Sequence, residues 1–177
     1  SGGDAIDSKE LRDVLATVTS SGAYPIDIVG LDACMMAMAE IDNQIRPYGL
    51  VRVSSEETEP NDGWPYDTIL AGLKANPGWT RNQLATRIVD DYYTSYGGNQ
   101  TQSAVDLGTP YTTLNNAIET FANAMINNGN NWISSLYTAR NASTQFSWTY
   151  YIDLWDFADW TNIDVSDPTI HNAAIAA

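Results

Sequence analysis

The run Ile26-Asp27-Ile28-Val29-Gly30-Leu31 constrains this chain most: it is short, almost continuously apolar, and follows a turn marked by Gly22 and Pro25. That is the pattern of a strand buried on both faces, as in sheets whose crossover helices cover them. Helical signals flank it. Asp7 and Glu10 have capping-box spacing, and Leu11, Val14, Leu15 and Val18 recur at i, i+3, i+4 and i+7, an amphipathic stripe that needs a sheet to cover. A Met- and Ala-rich helix is expected from about Met35 to Ile45, ending near Pro47, and Leu50 to Val53 reads as a second strand.

Strands and helices keep alternating downstream. The Gly/Pro/Asn/Asp-rich stretch from Glu59 to Pro65 reads as a loop, and Asp67 to Leu73 as a short helix. Thr80 and Gln83 have capping-box spacing for a helix to Tyr96, closed by Gly97-Gly98. Ser103 to Leu107 is a third strand; Thr109 as N-cap and Pro110 at the first helical position open a helix that Gly129 ends. A helix is expected from Trp132 to Arg140, an extended segment from Phe146 to Tyr151, helical spacing from Tyr151 to Trp160, and a last helix opened by Asp167-Pro168.

This alternation predicts an α/β fold with a mostly parallel sheet flanked by helices, as a single domain over residues 1–177. Three or four strands are few for a sheet covered on both faces, and the run at Ile26 to Leu31 would lie at or near an edge. The sheet is therefore expected to be incomplete, with a second polypeptide or an N-terminal segment adding strands beside it.

Composition narrows the function. With 44% hydrophobic residues, six Trp and ten Tyr in 177 residues, the chain can bury a real core, which argues against disorder. Twenty-two acidic against eight basic residues give a net charge of −14, which repels nucleic acid and draws in cations. No apolar run approaches the ~20 residues of a membrane helix. The chain begins at Ser1 rather than Met, as expected of a processed product or a shortened sequence. A single Cys excludes an internal disulfide and leaves its thiol to be weighed as a nucleophile.

That thiol sits in Asp32-Ala33-Cys34, directly after the first strand, where open α/β sheets deliver side chains to a ligand crevice. If the following helix starts here, its dipole favours the thiolate. The plainer alternatives are a buried inert Cys34 and an Asp32 that only caps that helix.

Two longer segments decide between these readings. Ile28-Val29-Gly30-Leu31-Asp32-Ala33-Cys34-Met35-Met36-Ala37 resembles the nucleophile segment of the clostripain-like cysteine peptidases, which have a caspase-like fold. Val53-Ser54-Ser55-Glu56-Glu57-Thr58-Glu59-Pro60-Asn61-Asp62-Gly63-Trp64-Pro65-Tyr66 resembles the next strand and pocket loop of that family, with weaker similarity at Ser103 to Leu107 and Tyr151 to Phe157.

The resemblance implies an endopeptidase in which Cys34 attacks the scissile carbonyl to form an acyl-enzyme, while a His shuttles the proton and backbone N–H groups hold the oxyanion. It implies that Asp32 recognises Arg or Lys before the cleaved bond by a charge-assisted contact, with Ser54 and Ser55 lining the pocket and Asp62 as a second carboxylate. Glu56, Glu57 and Glu59 read as a solvated acidic loop. No cofactor or metal is required by the residues; the family includes calcium-dependent members, so Ca2+ stays open. The family is secreted, so an extracellular or cell-surface location is expected.

The chain departs from the family in its His. The only one, His171, lies six residues from the C-terminus and outside any family motif, and reads as a surface residue. The family carries its catalytic His upstream, in a segment often separated from the Cys by cleavage, and Ser1-Gly2-Gly3-Asp4 with Glu10-Leu11 resembles the interval between them. The chain is thus expected to be the heavy chain of a two-chain enzyme, completed by an N-terminal light chain that carries the His. If it arises by self-cleavage with the same specificity, Lys or Arg precedes Ser1.

The competing reading is a non-catalytic acidic binding or adhesion module on the same fold. Asn99-Gln100-Thr101 and Asn141-Ala142-Ser143 match the glycosylation pattern by chance, and the aromatic tract Trp148 to Trp160 reads as core rather than as a carbohydrate platform.

Overall fold

The computed structural model describes residues 6–98 and 100–177; the Ser1 to Asp4 similarity and Asn99 of the glycosylation match lie outside them. The chain gathers into two compact units, Ser1–Tyr111 and Thr112–Ala177, with no linker between them because the boundary falls inside a helix.

In the first unit the order is α1 (Ser8–Val18), β1 (Ile26–Leu31), α2 (Ala39–Ile45), β2 (Gly49–Ser54), α3 (Tyr66–Ala75), α4 (Arg81–Tyr96) and β3 (Ser103–Asp106), after which α5 (Thr109–Asn128) begins. The caps act as the sequence predicts. Asp7 and Thr80 each close a reciprocal capping box, and Gly97, at φ +63°, ends α4 in the left-handed conformation.

The sheet order is β1-β2-β3. β1 and β2 pair in parallel, with Ile28 opposite Val51 and Leu31 opposite Ser54, whereas β2 and β3 are antiparallel, with Val53 opposite Ala104. The α/β architecture is as expected, but the three-stranded sheet is mixed rather than mostly parallel. One crossover helix, α2, returns the chain to the starting end of β1 and gives a parallel partner; two successive helices, α3 and α4, deliver it to the opposite end. Among the described residues β1 pairs on one side only, and Ile26, Ile28 and Leu31 along it are only half-buried.

Adjacent residues of β1 serve different clusters, so the sheet is covered on both faces. Ile28 packs against Val51, Val53, Trp64, Ile69, Ala85, Ile88 and Tyr92, whereas Val29 joins Leu15, Ile45, Leu107 and Tyr111. Arg52, between Val51 and Val53, is 3% exposed and forks onto Asp42 of α2 at 2.8 and 2.9 Å while also donating to the Ser103 hydroxyl at 2.7 Å. Removing one partner of such a buried pair costs about 3–5 kcal/mol, so the pair fixes α2 against the sheet.

The second unit continues α5 through a short 3-10 turn (Gly129–Trp132) into α6 (Ile133–Ala142), α7 (Leu154–Asp164) and α8 (Pro168–Ala176). Phe121 and Ala124 of α5, Ala158 of α7, and Val165, Ile170, Ala173 and Ala174 form its core. Asp167 caps α8 through the N–H groups of Thr169 and Ile170.

Two expectations change here. Phe146 to Tyr151 is not extended: Gln145 and Ile152 form an antiparallel bridge around a tight turn, closed by Phe146 N–H to the Tyr151 carbonyl at 3.1 Å. Nor is the aromatic tract core throughout. Phe157 packs on Phe121, but Trp148, Tyr150 and Trp155 are exposed.

Candidate active site

β1 ends at Leu31 and passes Asp32, Ala33 and Cys34 into an exposed turn, where Cys34 is a free thiol. The turn is not the start of a helix: α2 begins five residues after Cys34, at Ala39, and Met35 sits at φ +55°. The reason lies in the next strand's exit. The N–H groups of Met35 and Ala37 donate to the carbonyls of Glu57 and Ser55, both at 2.9 Å, so segment 35–37 is laid beside segment 55–57 and its donors are unavailable to a helical turn. A helix dipole acting directly on the thiol is therefore absent. In its place the backbone N–H of Glu59 points at Sγ from 3.3 Å.

Asp32 is exposed and caps no helix. Its Oδ2 accepts the backbone N–H of Trp64 at 3.1 Å and the Tyr66 hydroxyl at 2.8 Å, and among the described residues no donor reaches Oδ1. The loop comes this close because residue 63 is glycine: it sits at φ +66°, and a Cβ there would lie 2.8 Å from Oδ2. The Trp64 ring covers Gly30 of β1, where a Cβ would meet it at 3.0 Å, and stacks on Tyr66.

The same loop is tied down by ring hydroxyls and an indole. Tyr92 donates to Glu59 Oε2 at 2.5 Å, Trp64 Nε1 donates to Oε1 at 3.3 Å, and Tyr96 donates to the Gly63 carbonyl at 2.5 Å. Glu59 is thus half-buried and held at both oxygens, not part of a solvated acidic loop; Glu56 and Glu57 are half-buried too. Burial pushes the Glu59 carboxyl up, with the Asp32 charge adding to this and the Tyr92 and Trp64 bonds opposing it. Burial and the Asp32 bond lift the Tyr66 hydroxyl to about 12, and burial with the Glu59 bond raises Tyr92.

The structure brings Asp32 together with Trp64, Tyr66 and Gly63, and Cys34 with Glu59. Asp62 is exposed in the same loop, and burial first, then the Asp62 charge, raise the Tyr96 hydroxyl. Ser54 and Ser55, at the exit of β2, are fully buried. Ser55 is taken up within the loop base, 2.8 Å from the Thr101 hydroxyl and accepting Glu57 N–H at 3.0 Å, while Ser54 Oγ has no partner among the described residues. His171 is half-buried in α8, with Nδ1 3.0 Å from the Asn162 carbonyl, and so is not a free surface residue. Sequence reasoning missed Glu59, Tyr92 and Tyr96. The available signal for Glu59 was its place before Pro60, which disfavours helical backbone there, five residues before Trp64.

Among the described residues no three His, Cys, Asp or Glu side chains gather into a metal-holding group, and no helix is long and apolar enough to cross a membrane.

Solved structures share this fold. A B. fragilis cysteine protease superposes with TM-score 0.62 at 17% identity, covering 99% of this chain and 72% of that one. A clostripain from Bacteroides thetaiotaomicron, in complex with the peptide inhibitor BTN-VLTK-AOMK, gives 0.65 at 13% identity with coverage of 99% and 72%. A secreted C11 cysteine protease from the same species, in complex with an irreversible peptide inhibitor, gives 0.61 at 18%, with 99% of this chain matched to 47% of that one. No curated protein matches the chain by sequence. The model of the clostripain family, Peptidase C11, matches residues 1–175, and the chain accordingly belongs to the clostripain family of cysteine peptidases.

Proposed function

We propose that the protein is an endopeptidase that cleaves after Arg or Lys, with Cys34 as nucleophile and Asp32 as the recogniser of the basic side chain. The observation that carries this reading is the exposed pair at the end of β1: a free thiol with an N–H at its sulfur, two residues from a carboxylate whose Oδ1 meets no donor among the described residues. In the reaction Sγ attacks the scissile carbonyl carbon, the amine leaves with a proton from the base, and water releases the thioester-bound acyl group. The open oxygen of Asp32 suits a Lys ammonium or one arm of a guanidinium, and the net charge of −14 attracts either. A clostripain relative bound to a peptide inhibitor containing VLTK, which ends in Lys, supports a basic residue at this position.

A proton shuttle is required, and His171, engaged with Asn162 in the second unit, does not suit the role. We assign the catalytic His to an N-terminal light chain, whose strands would also pair with the half-exposed β1; Asp62 is the second carboxylate toward the substrate. A secreted relative supports an extracellular location; the proposed reaction needs no cofactor, and chelation tests whether calcium affects it. In the full protein, Cys34→Ala is expected to abolish cleavage of Lys- and Arg-containing peptides while leaving the melting temperature unchanged. Cleavage retained by that variant would refute the reading.

A further inference from the structure

The residue best placed to couple the two halves of this site is one that the proposed reaction does not use. Glu59 touches the nucleophile through its main chain, donating N–H to Cys34 Sγ at 3.3 Å, and touches the pocket through its side chain. Its Oε1 accepts from Trp64 Nε1 at 3.3 Å, and the backbone N–H of that same Trp64 holds Asp32 Oδ2 at 3.1 Å. Its Oε2 accepts from Tyr92, which lies on α4 and is 0% exposed in the core. The path from Sγ to Asp32 therefore runs through Glu59 and then Trp64, and Glu59 is clamped at both carboxylate oxygens by rings anchored in the core.

Such clamping has a chemical purpose. A loop N–H helps a thiolate only if it stays aimed at the sulfur, and an untethered acidic loop would not hold that aim; preorganised donors cost no reorganisation when charge develops. We propose that Glu59 is a positioning residue: its carboxylate, held by Trp64 and Tyr92, keeps its own N–H on Cys34 Sγ and keeps Trp64 on Asp32. This rests on Cys34 being the nucleophile, and it adds that nucleophile and specificity carboxylate are set by a common strut.

Geometry and charge separate cleanly at this position. Gln keeps an acceptor for Trp64 and offers an amide to the Tyr92 oxygen; Ala keeps neither. In the full protein, alkylation of Cys34 by the small neutral reagent iodoacetamide reports the thiolate without needing a substrate. Glu59→Ala is expected to slow that alkylation at neutral pH by about tenfold, the loss of one charge-assisted hydrogen bond. Glu59→Gln is expected to restore most of the rate. In peptide cleavage Glu59→Ala should lower kcat more than it raises KM. Should Glu59→Ala not fold, Tyr92→Phe removes one clamp while keeping the buried ring, and is expected to slow alkylation in the same direction.

Alkylation unchanged in the folded Ala variant, or in Tyr92→Phe where that variant stands in, overturns the proposal, as does failure of Gln to restore the rate. A wild-type protein that alkylates readily at Cys34 but cleaves no peptide would overturn the peptidase reading and leave the strut standing.

Discussion

Two regions of the molecule are rich in aromatic side chains and use them in opposite ways. Around the site, Trp64 and Tyr92 bury their rings to 6% and 0% exposure and, with Tyr96, place their polar tips on the loop, at the Glu59 carboxylate and the Gly63 carbonyl. In the turn between α6 and α7 of the second unit, Trp148 and Tyr150 are 51% and 60% exposed and contact mainly one another and Tyr151, with ring centroids 5.5, 4.7 and 6.3 Å apart. There the rings do not close the turn; the Arg140 guanidinium, donating to the Thr149 carbonyl, and the Gln145–Ile152 backbone bridge do. Aromatic density alone therefore does not mark a functional site; what the polar tip holds does.

That contrast can be broken by substitution. Trp64→Ala removes a buried ring and its indole N–H donor, and is expected to cost about 3–5 kcal/mol in urea unfolding, with slower labelling of Cys34. A loss no larger than that of a surface residue would mean that the ring is not the anchor described. A smaller effect concerns Glu59, whose carboxyl is raised above its ordinary 4.5 chiefly by burial. The folded state then favours the protonated form, so this group's contribution is complete below the unfolded value and is lost as pH rises through the raised folded one. Glu59→Gln removes that titration, and its stability relative to the parent should rise from acid toward neutral pH; a relative fall would show that the carboxylate, once charged, is net stabilised by Tyr92 and Trp64. The smallest effect is expected for Trp148→Ala, within about 0.5 kcal/mol and without change at Cys34.

Much of the frame is legible in residues. The apolar run at Ile26, the capping pairs at Asp7 and Thr80, and Pro110 and Pro168 near helix starts all state local rules that tertiary contacts did not override. Three features were not legible, each for a physical reason. The late start of α2 depends on carbonyls of Ser55 and Glu57, some twenty residues away in sequence. The antiparallel β3 depends on two helices intervening where a parallel crossover needs one. The engagement of Glu59 depends on Tyr92, thirty-three positions on, whose hydroxyl no periodicity argument assigns. Asp32 and Cys34 stand out as candidates because strand-end placement is a local signal; the donors that hold Asp32 and aim at Cys34 come from elsewhere in the chain.

The most direct test is to treat the full protein with an irreversible peptide inhibitor ending in Lys and map the covalent adduct by mass spectrometry. The adduct is expected on Cys34, lost in Asp32→Asn and absent when the terminal residue is Glu. Equal labelling by the Glu-terminated inhibitor, or an adduct on any other residue, would contradict the pairing of nucleophile and basic-residue recognition at the end of β1.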